Sequence, residues 1–435
     1  MKQTKLKIVT TSCALALLLA ACGGGGGSGG GTAGNTYVGT ISSFGSVTVD
    51  GVKFETDDSD FEIEDDADSD ESELEVGQRV VIRGTVNEDG VTGTAHSIEY
   101  DDNLEGIVNT DLGGANTGTM VIMGQSVEIS VTTVVESDVA GITSASQITA
   151  GMIVEVSGIP TADDAITATF IEVKAVDLAT YIAAGGEIEI KGSIANLNLD
   201  TMTFNIGGLA VVYSLDTVFD DIPNTGLAEG MFVEVKSVVD FDGEGRLVAS
   251  EIEAEHDSAN DHDDDDGVEF DGEITTAWEE GATSIGVNGI EILLTETTEL
   301  EGLGYDGLTL GRMVEVEVSI VDGIYTALEI EVEHSEEEVE GHDGIVTEIV
   351  MTDEDRQLER NIGTVTAGEL TFQINLETIM EDDSVEGVEE DTHFNLTDLA
   401  TGDLVIIYFV EAGDQLVAVK LERRPAPGTD SVDEI

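Results

Sequence analysis

The sequence predicts an all-β protein, a tandem of small five-stranded barrels behind a flexible glycine-rich tether. Three observations carry that expectation. One pattern recurs five times, the apolar fraction is built from Val, Ile and Leu with only 5% aromatics, and a run of glycine lies near the N-terminus. Branched aliphatic residues favour strands, and 40% hydrophobic content is enough for several cores. The length of 435 residues suits about two to four domains of ordinary size.

The N-terminal element comes first. Residues 1–7, MKQTKLK, are basic, and the apolar stretch IVTTSCALALLLAA is too short for a comfortable membrane span. Together they read as a secretory signal. The stretch ends on Leu19-Ala20-Ala21-Cys22. Small residues before a cysteine resemble the lipobox of bacterial lipoproteins. That resemblance implies cleavage before Cys22, diacylation of its thiol and acylation of the new amino terminus. Each buried CH2 of an acyl chain contributes roughly 0.8 kcal/mol, so several chains anchor stably. Gly23 rather than aspartate follows the cysteine, which by resemblance to enterobacterial lipoproteins implies the outer membrane. Residues 1–21 are then the signal peptide, and 22–36 a lipidated cysteine with its tether. Cys13 leaves with the signal and Cys22 is taken by lipid, so no disulfide is expected.

The repeat follows. A short L-x-x-G before a Val/Ile run occurs in LEVGQRVVIRG, ITAGMIVEVSG, LAEGMFVEVKS, LTLGRMVEVEV and LATGDLVIIYF, with glycines at Gly77, Gly151, Gly230, Gly311 and Gly402. Upstream of each lies an opening strand, from Gly39, Gly106, Gly192, Gly272 and Gly344. Between them comes a turn with glycine second: Asp50-Gly51, Met123-Gly124, Gly207-Gly208, Asn288-Gly289 and Ala367-Gly368. Asp-Gly and Asn-Gly suit type I′ turns, whose two central residues need positive φ. A closing strand such as HSIEY, TFIEV or LEIEV ends each unit.

Each unit therefore reads as three strands, a turn or short helix carrying L-x-x-G, and two more strands. A helical turn between the third and fourth of five strands is the order of an OB-like barrel, and closure removes exposed edges. A small open sandwich is the alternative. The units are expected at 37–102, 103–177, 186–257, 267–335 and 338–427. An acidic linker at 258–266 separates the third from the fourth, and a disordered tail occupies 428–435. The opening GTISSFGSVTVDG, the L-x-x-G-x-x-V-x-V core and Thr-rich third strands such as TTVVE and DTVFD resemble the bacterial domain-of-unknown-function family 5666, found in tandem in lipoproteins. The resemblance covers nearly all of the chain after the tether and implies no catalytic residue and no ligand.

Charge narrows the partners. Sixteen Lys and Arg face 92 Asp and Glu, a net charge of −76; without residues 1–21, which hold three lysines and no acid, the chain carries 13 − 92 = −79. Such a surface repels phosphate backbones, so nucleic acid is not an expected partner. The expected partner is the membrane, reached through the lipid anchor; a protein or polysaccharide partner is left unnamed.

Catalytic patterns are missing or spurious. GGSGG at 26–30 fits G-x-S-x-G, but a glycine tether lacks the strand-to-helix turn that motif needs. The best metal candidate is DFDGEGRLVASE, whose Asp240, Asp242, Glu244 and Glu251 fall at calcium-loop positions. The repeat instead places this stretch in the hairpin between the fourth and fifth strands, so no metal ligand is assigned. His256, His262, His334 and His342 lie in the acidic linkers, which would hold Ca2+ loosely, by field rather than by a cage. No cofactor is expected beyond that. The chain is read as an outer-membrane lipoprotein with a structural or binding role and no enzymatic activity. The alternative is a Ca2+-dependent binding module for a surface polysaccharide or protein.

Overall fold

The computed structural model describes residues 35–425, apart from 162–164, 255–267, 333–338, 385–393 and several shorter breaks. Cys22, residues 23–34 of the tether, Asp240, His256, His262, the acidic run 263–266, His334 and the tail lie outside the described residues, while Asn35 and Thr36, expected in the tether, begin the first strand. No helix among the described residues is long and apolar enough to cross a membrane.

Each repeat folds into a closed barrel. In the first, Asn35–Ser43 pairs with Val47–Val49, which pairs with Val52–Glu55. That third strand runs parallel to Thr92–Tyr100, whose other neighbour, Arg79–Val86, returns to Asn35–Ser43. The order 1-2-3-5-4-1 closes a five-stranded, OB-like barrel. The second barrel repeats it from Leu104–Thr110 to Ala165–Ala175. In the fifth, the third strand is broken in two, Leu370–Ile374 and Ile379–Asp382, both parallel to Gln415–Arg424.

The repeated residues explain why the barrels close alike. Gly77, Gly151, Gly230 and Gly402 have φ of 94°, 98°, 79° and 107°, a region that glycine enters without steric cost. Their N–H groups donate to first-strand carbonyls of Ile41, Val108, Ile194 and Val346 at 2.7–2.9 Å. The L-x-x-G is thus the turn that seats the fourth strand on the first, with Leu74, Ile148, Leu227 and Leu399 buried beneath it. Thr133, Thr217, Thr298 and Thr378 perform a second repeated task. Each Oγ1 donates to an alanine carbonyl of the fifth strand (Ala168, Ala249, Ala327, Ala418) at 2.7–2.9 Å. Tyr37, Phe44 and Phe54 fill the first barrel.

The barrels join through their first strands. Each of these overhangs the barrel, pairing with the fourth strand on one side and leaving an edge on the other. Residues 36–38 pair in parallel with 268–270 of the fourth barrel, while Leu104 and Glu105 pair with Ile190 and Glu189 of the third. The first and fourth barrels thereby share one 12-stranded sheet, the second and third another, and the fifth keeps a 6-stranded sheet. The first and second meet by packing: Val134 and Phe170 of the second lie in the first barrel's core. The fifth barrel touches both, through Ser42 Oγ donating to the Leu376 carbonyl at 2.6 Å and Lys420 Nζ to the Thr133 carbonyl at 3.3 Å.

One linker expectation is corrected. His342 lies in the first strand of the fifth barrel, Glu340–Val350, with its ring 5.5 Å from Phe372 and Nε2 3.1 Å from the Ala367 carbonyl. The overhanging half of this strand is largely exposed. It has no core face to fill, and its acidic sequence therefore hides the strand.

Candidate functional site

The hairpin candidates are engaged with arginine. The Asp242 carboxylate accepts the backbone N–H groups of Glu244 and Arg246 at 2.8 and 2.9 Å and the Arg246 Nε at 2.8 Å. These bonds hold its pKa below the usual carboxylate range. Glu244 pairs with the same guanidinium at 3.2 Å. Glu251 opens the strand Glu251–Ala254, away from that turn.

The carboxylates that do converge lie elsewhere, where the first three barrels meet. One rung of the second sheet runs Glu172, Glu155, Glu105, Glu189, Lys236, Glu251 across neighbouring strands. Like charges directly opposite one another are destabilising, and here four glutamates stand side by side before the first lysine. Strand alternation puts them outside their own barrels. They are covered nonetheless, because the neighbouring barrels pack there. Glu155 is only 4% exposed.

Beside the middle of this row passes the linker between the first two barrels. It is pinned by backbone bonds: Asn103 N–H to the Val156 carbonyl at 2.9 Å, Lys191 N–H to the Asn103 carbonyl at 3.2 Å, and Gly158 N–H to Asn103 Oδ1 at 2.7 Å. The linker's Asp102 is 1% exposed, and neither of its carboxylate oxygens has a hydrogen-bond partner. Beside it stands Glu64, just after the strand Asp60–Ile63. Glu64 adopts φ of +49°, and its N–H donates to the Tyr100 carbonyl at 3.0 Å. Such a conformation is uncommon for a non-glycine residue, and six other described non-glycine residues share it. Glu64 is exposed as a residue, yet one of its carboxylate oxygens reaches the buried pair. One oxygen each from Glu64, Asp102 and Glu155 lies within 4.8 Å of the others.

The nearby cations neutralise this group only at Glu155. Lys174 is held 2.9 Å from both Glu155 and Glu172, while Lys191 is drawn to Asp101 and Glu234. Tyr100 donates its hydroxyl to Glu155. Among the described residues, no basic side chain is paired with Asp102 or Glu64. Burial, then the charges of Glu64 and Glu155, push the Asp102 carboxyl well above its usual range. Burial likewise raises Glu64 and Glu105 to about 7, and burial with Glu234 raises Glu189 to about 9. A cluster with such values holds protons at neutral pH or binds a positive charge in their place.

A second carboxylate group, Glu381, Asp383 and Glu422 in the fifth barrel, differs in having its counter-charges present. Lys420 is paired with Glu381, and Arg424 with Asp383 and Glu422.

Sequence reasoning missed the first cluster. Its one local signal is the glutamate four residues after the repeat glycine, Glu155 in IVEVSG, at a position whose side chain points out of the barrel. Only the pairing between barrels shows that it is buried.

The family model described as "Domain of unknown function (DUF5666)" matches residues 38–99, 105–172, 191–253, 271–331 and 344–422. No curated protein matches the chain. Among solved structures, the chain is similar to one titled "drosophila Unr CSD456", at 14% identity over 54% of this chain and 95% of that one, with a TM-score of 0.13. It is also similar to a deletion mutant of the single-stranded DNA binding protein from Thermus aquaticus, at 15% identity over 39% and 85%, again with a TM-score of 0.13. Superpositions this loose say nothing about a ligand.

Proposed function

The chain belongs to the family described as Domain of unknown function (DUF5666), in five tandem copies, and from that premise we propose a lipid-anchored outer-membrane protein that acts by structure and binding rather than by catalysis. The observation that supports this most is the use of the barrel interiors. Phe54, Phe170, Phe204, Phe270 and Phe372 are fully buried in packed cores, which leaves the outer faces for any partner. The Leu19–Cys22 lipobox and the glycine run beyond it supply the anchor and the tether. The net charge of −76 argues against nucleic acid. A second reading, a Ca2+-dependent module for a surface polysaccharide or protein, is favoured by the carboxylates gathered at the junction.

Metabolic labelling with an alkyne-bearing fatty acid tests the anchor. The wild-type chain should take up label and sediment with outer membranes, and Cys22→Ala should lose the label and enter the soluble fraction. An unlabelled wild-type chain would overturn the reading.

A further inference from the structure

We propose that Glu64, Asp102 and Glu155 form a Ca2+ site that fastens the first barrel to the second through their linker. Three stretches of chain supply one carboxylate each: the end of a first-barrel strand, the linker and the fourth strand of the second barrel. Calcium takes oxygen ligands at about 2.3–2.6 Å. Two oxygens bound to one ion at about 2.4 Å stand no more than about 4.8 Å apart, and these three lie within 4.8 Å of one another. Hard oxygen donors with no His or Cys among them select Ca2+ or Mg2+ over zinc and its neighbours. Of those two, the larger ion suits three carboxylates and irregular geometry, since Mg2+ demands a near-ideal octahedron and keeps its waters.

Asp102 is the residue that points to a ligand. It is buried, both oxygens lack partners, and the nearby lysines pair with Glu155, Glu172, Asp101 and Glu234 rather than with it. Buried carboxylates are ordinarily paired or coordinate a metal. Glu64 fits the same account: one of its carboxylate oxygens lies with those of Asp102 and Glu155, while the exposed residue leaves a route for the ion from solvent. Glu105 and Glu189 each carry one unpartnered oxygen in the same row. Bound there, the ion would neutralise a junction that otherwise drives its two barrels apart, so their mutual stiffness depends on it.

The test uses the full chain in mild detergent at fixed ionic strength, with Ca2+ titrated calorimetrically and Tb3+ followed by luminescence excited through tyrosine. Tyr100 hydrogen-bonds a ligand residue, so it should sensitise the bound lanthanide. The expected result is one saturable site per chain, with Mg2+ a weaker competitor. Asp102→Asn should weaken Ca2+ binding on the order of 100-fold or more by removing a charged ligand, and abolish the sensitised luminescence. Glu64→Gln, at the exposed rim, gives the same loss without a core substitution, and Glu244→Gln in the hairpin changes neither signal. No saturable Ca2+ uptake by the wild-type chain, or uptake that survives both Asp102→Asn and Glu64→Gln, would overturn the site. The first result would mean that protons alone hold the carboxylates together; the second would place the ion elsewhere.

Discussion

Replacing Glu189 by glutamine should stabilise the protein at neutral pH and do little in acid. Glu189 faces Glu105 across the joint between the second and third barrels. Its carboxyl is pushed up to about 9 by burial, Glu234, Glu64 and Glu105, with Lys236 alone opposing them. The unfolded chain releases that proton above pH 4.5, its ordinary value. Between the two, the folded state binds more protons than the unfolded state, so stability falls as pH rises. At about 1.4 kcal/mol per unit, the cost at pH 7 is (7 − 4.5) × 1.4, or about 3.5 kcal/mol. This is an upper bound, because the half-buried side chain is partly screened by water. At pH 5 the same arithmetic gives under about 1 kcal/mol. Glutamine keeps the shape and never ionises, so the Glu189→Gln gain should grow from pH 5 to pH 8. Urea melts in EGTA at several pH values measure it, the chelator removing any cation that would mask the repulsion. A gain equal at every pH, or a loss at pH 8, would refute the assignment of repulsion to this joint.

Two further substitutions probe the packing. Phe170→Ala should cost about 3–5 kcal/mol as a large core truncation. Because Phe170 is buried in the first barrel's core, hydrogen exchange should quicken in Asn35–Ser43 as well as in the second barrel. Protection lost only in the second barrel would contradict the shared core. Gly77→Ala and Gly151→Ala both force alanine to positive φ, at about 1–2 kcal/mol. A Cβ at Gly77 also meets Val134 at 2.8 Å, whereas one at Gly151 meets nothing within 4 Å. Thermal melts should therefore show the larger drop for Gly77→Ala.

The barrel was legible because its signals are local. Gly77 and its four counterparts announce a turn that any one repeat needs for itself, and Asp50-Gly51 announces a hairpin whose residues do take φ of 45° and 73°. The junction was not legible because its meaning lies between repeats. Four residues beyond each repeat glycine stand Val81, Glu155, Glu234, Glu315 and Ile406, all pointing out of their own barrels. From sequence these look like a solvated face. Val81 packs against the fourth barrel's core, while Glu155 is buried beside the first barrel's Tyr100 and Glu234 is buried in the third barrel. Asp102 was obscure for the same reason: in YDDN it reads as one more acid in a linker. Nothing local says that neighbouring barrels close over it.

The parallel pairing of Thr36 with Val268 also dictates an order of events at the ribosome. The first barrel owns all its strands once Tyr100 has been made, and it can close there. Its overhanging edge must wait for Val268, which lies 268 − 100 = 168 residues further on. At about 5–20 residues per second, synthesis leaves that edge open for roughly 8 to 34 s, far longer than a hairpin takes to form. In the later part of that interval, once Ala175 has been made, the corresponding edge of the second barrel is present as well. A nascent chain thus carries a template looking for a partner before the right one exists, and pairing by approach in parallel rather than antiparallel sense separates the correct choice from the early one.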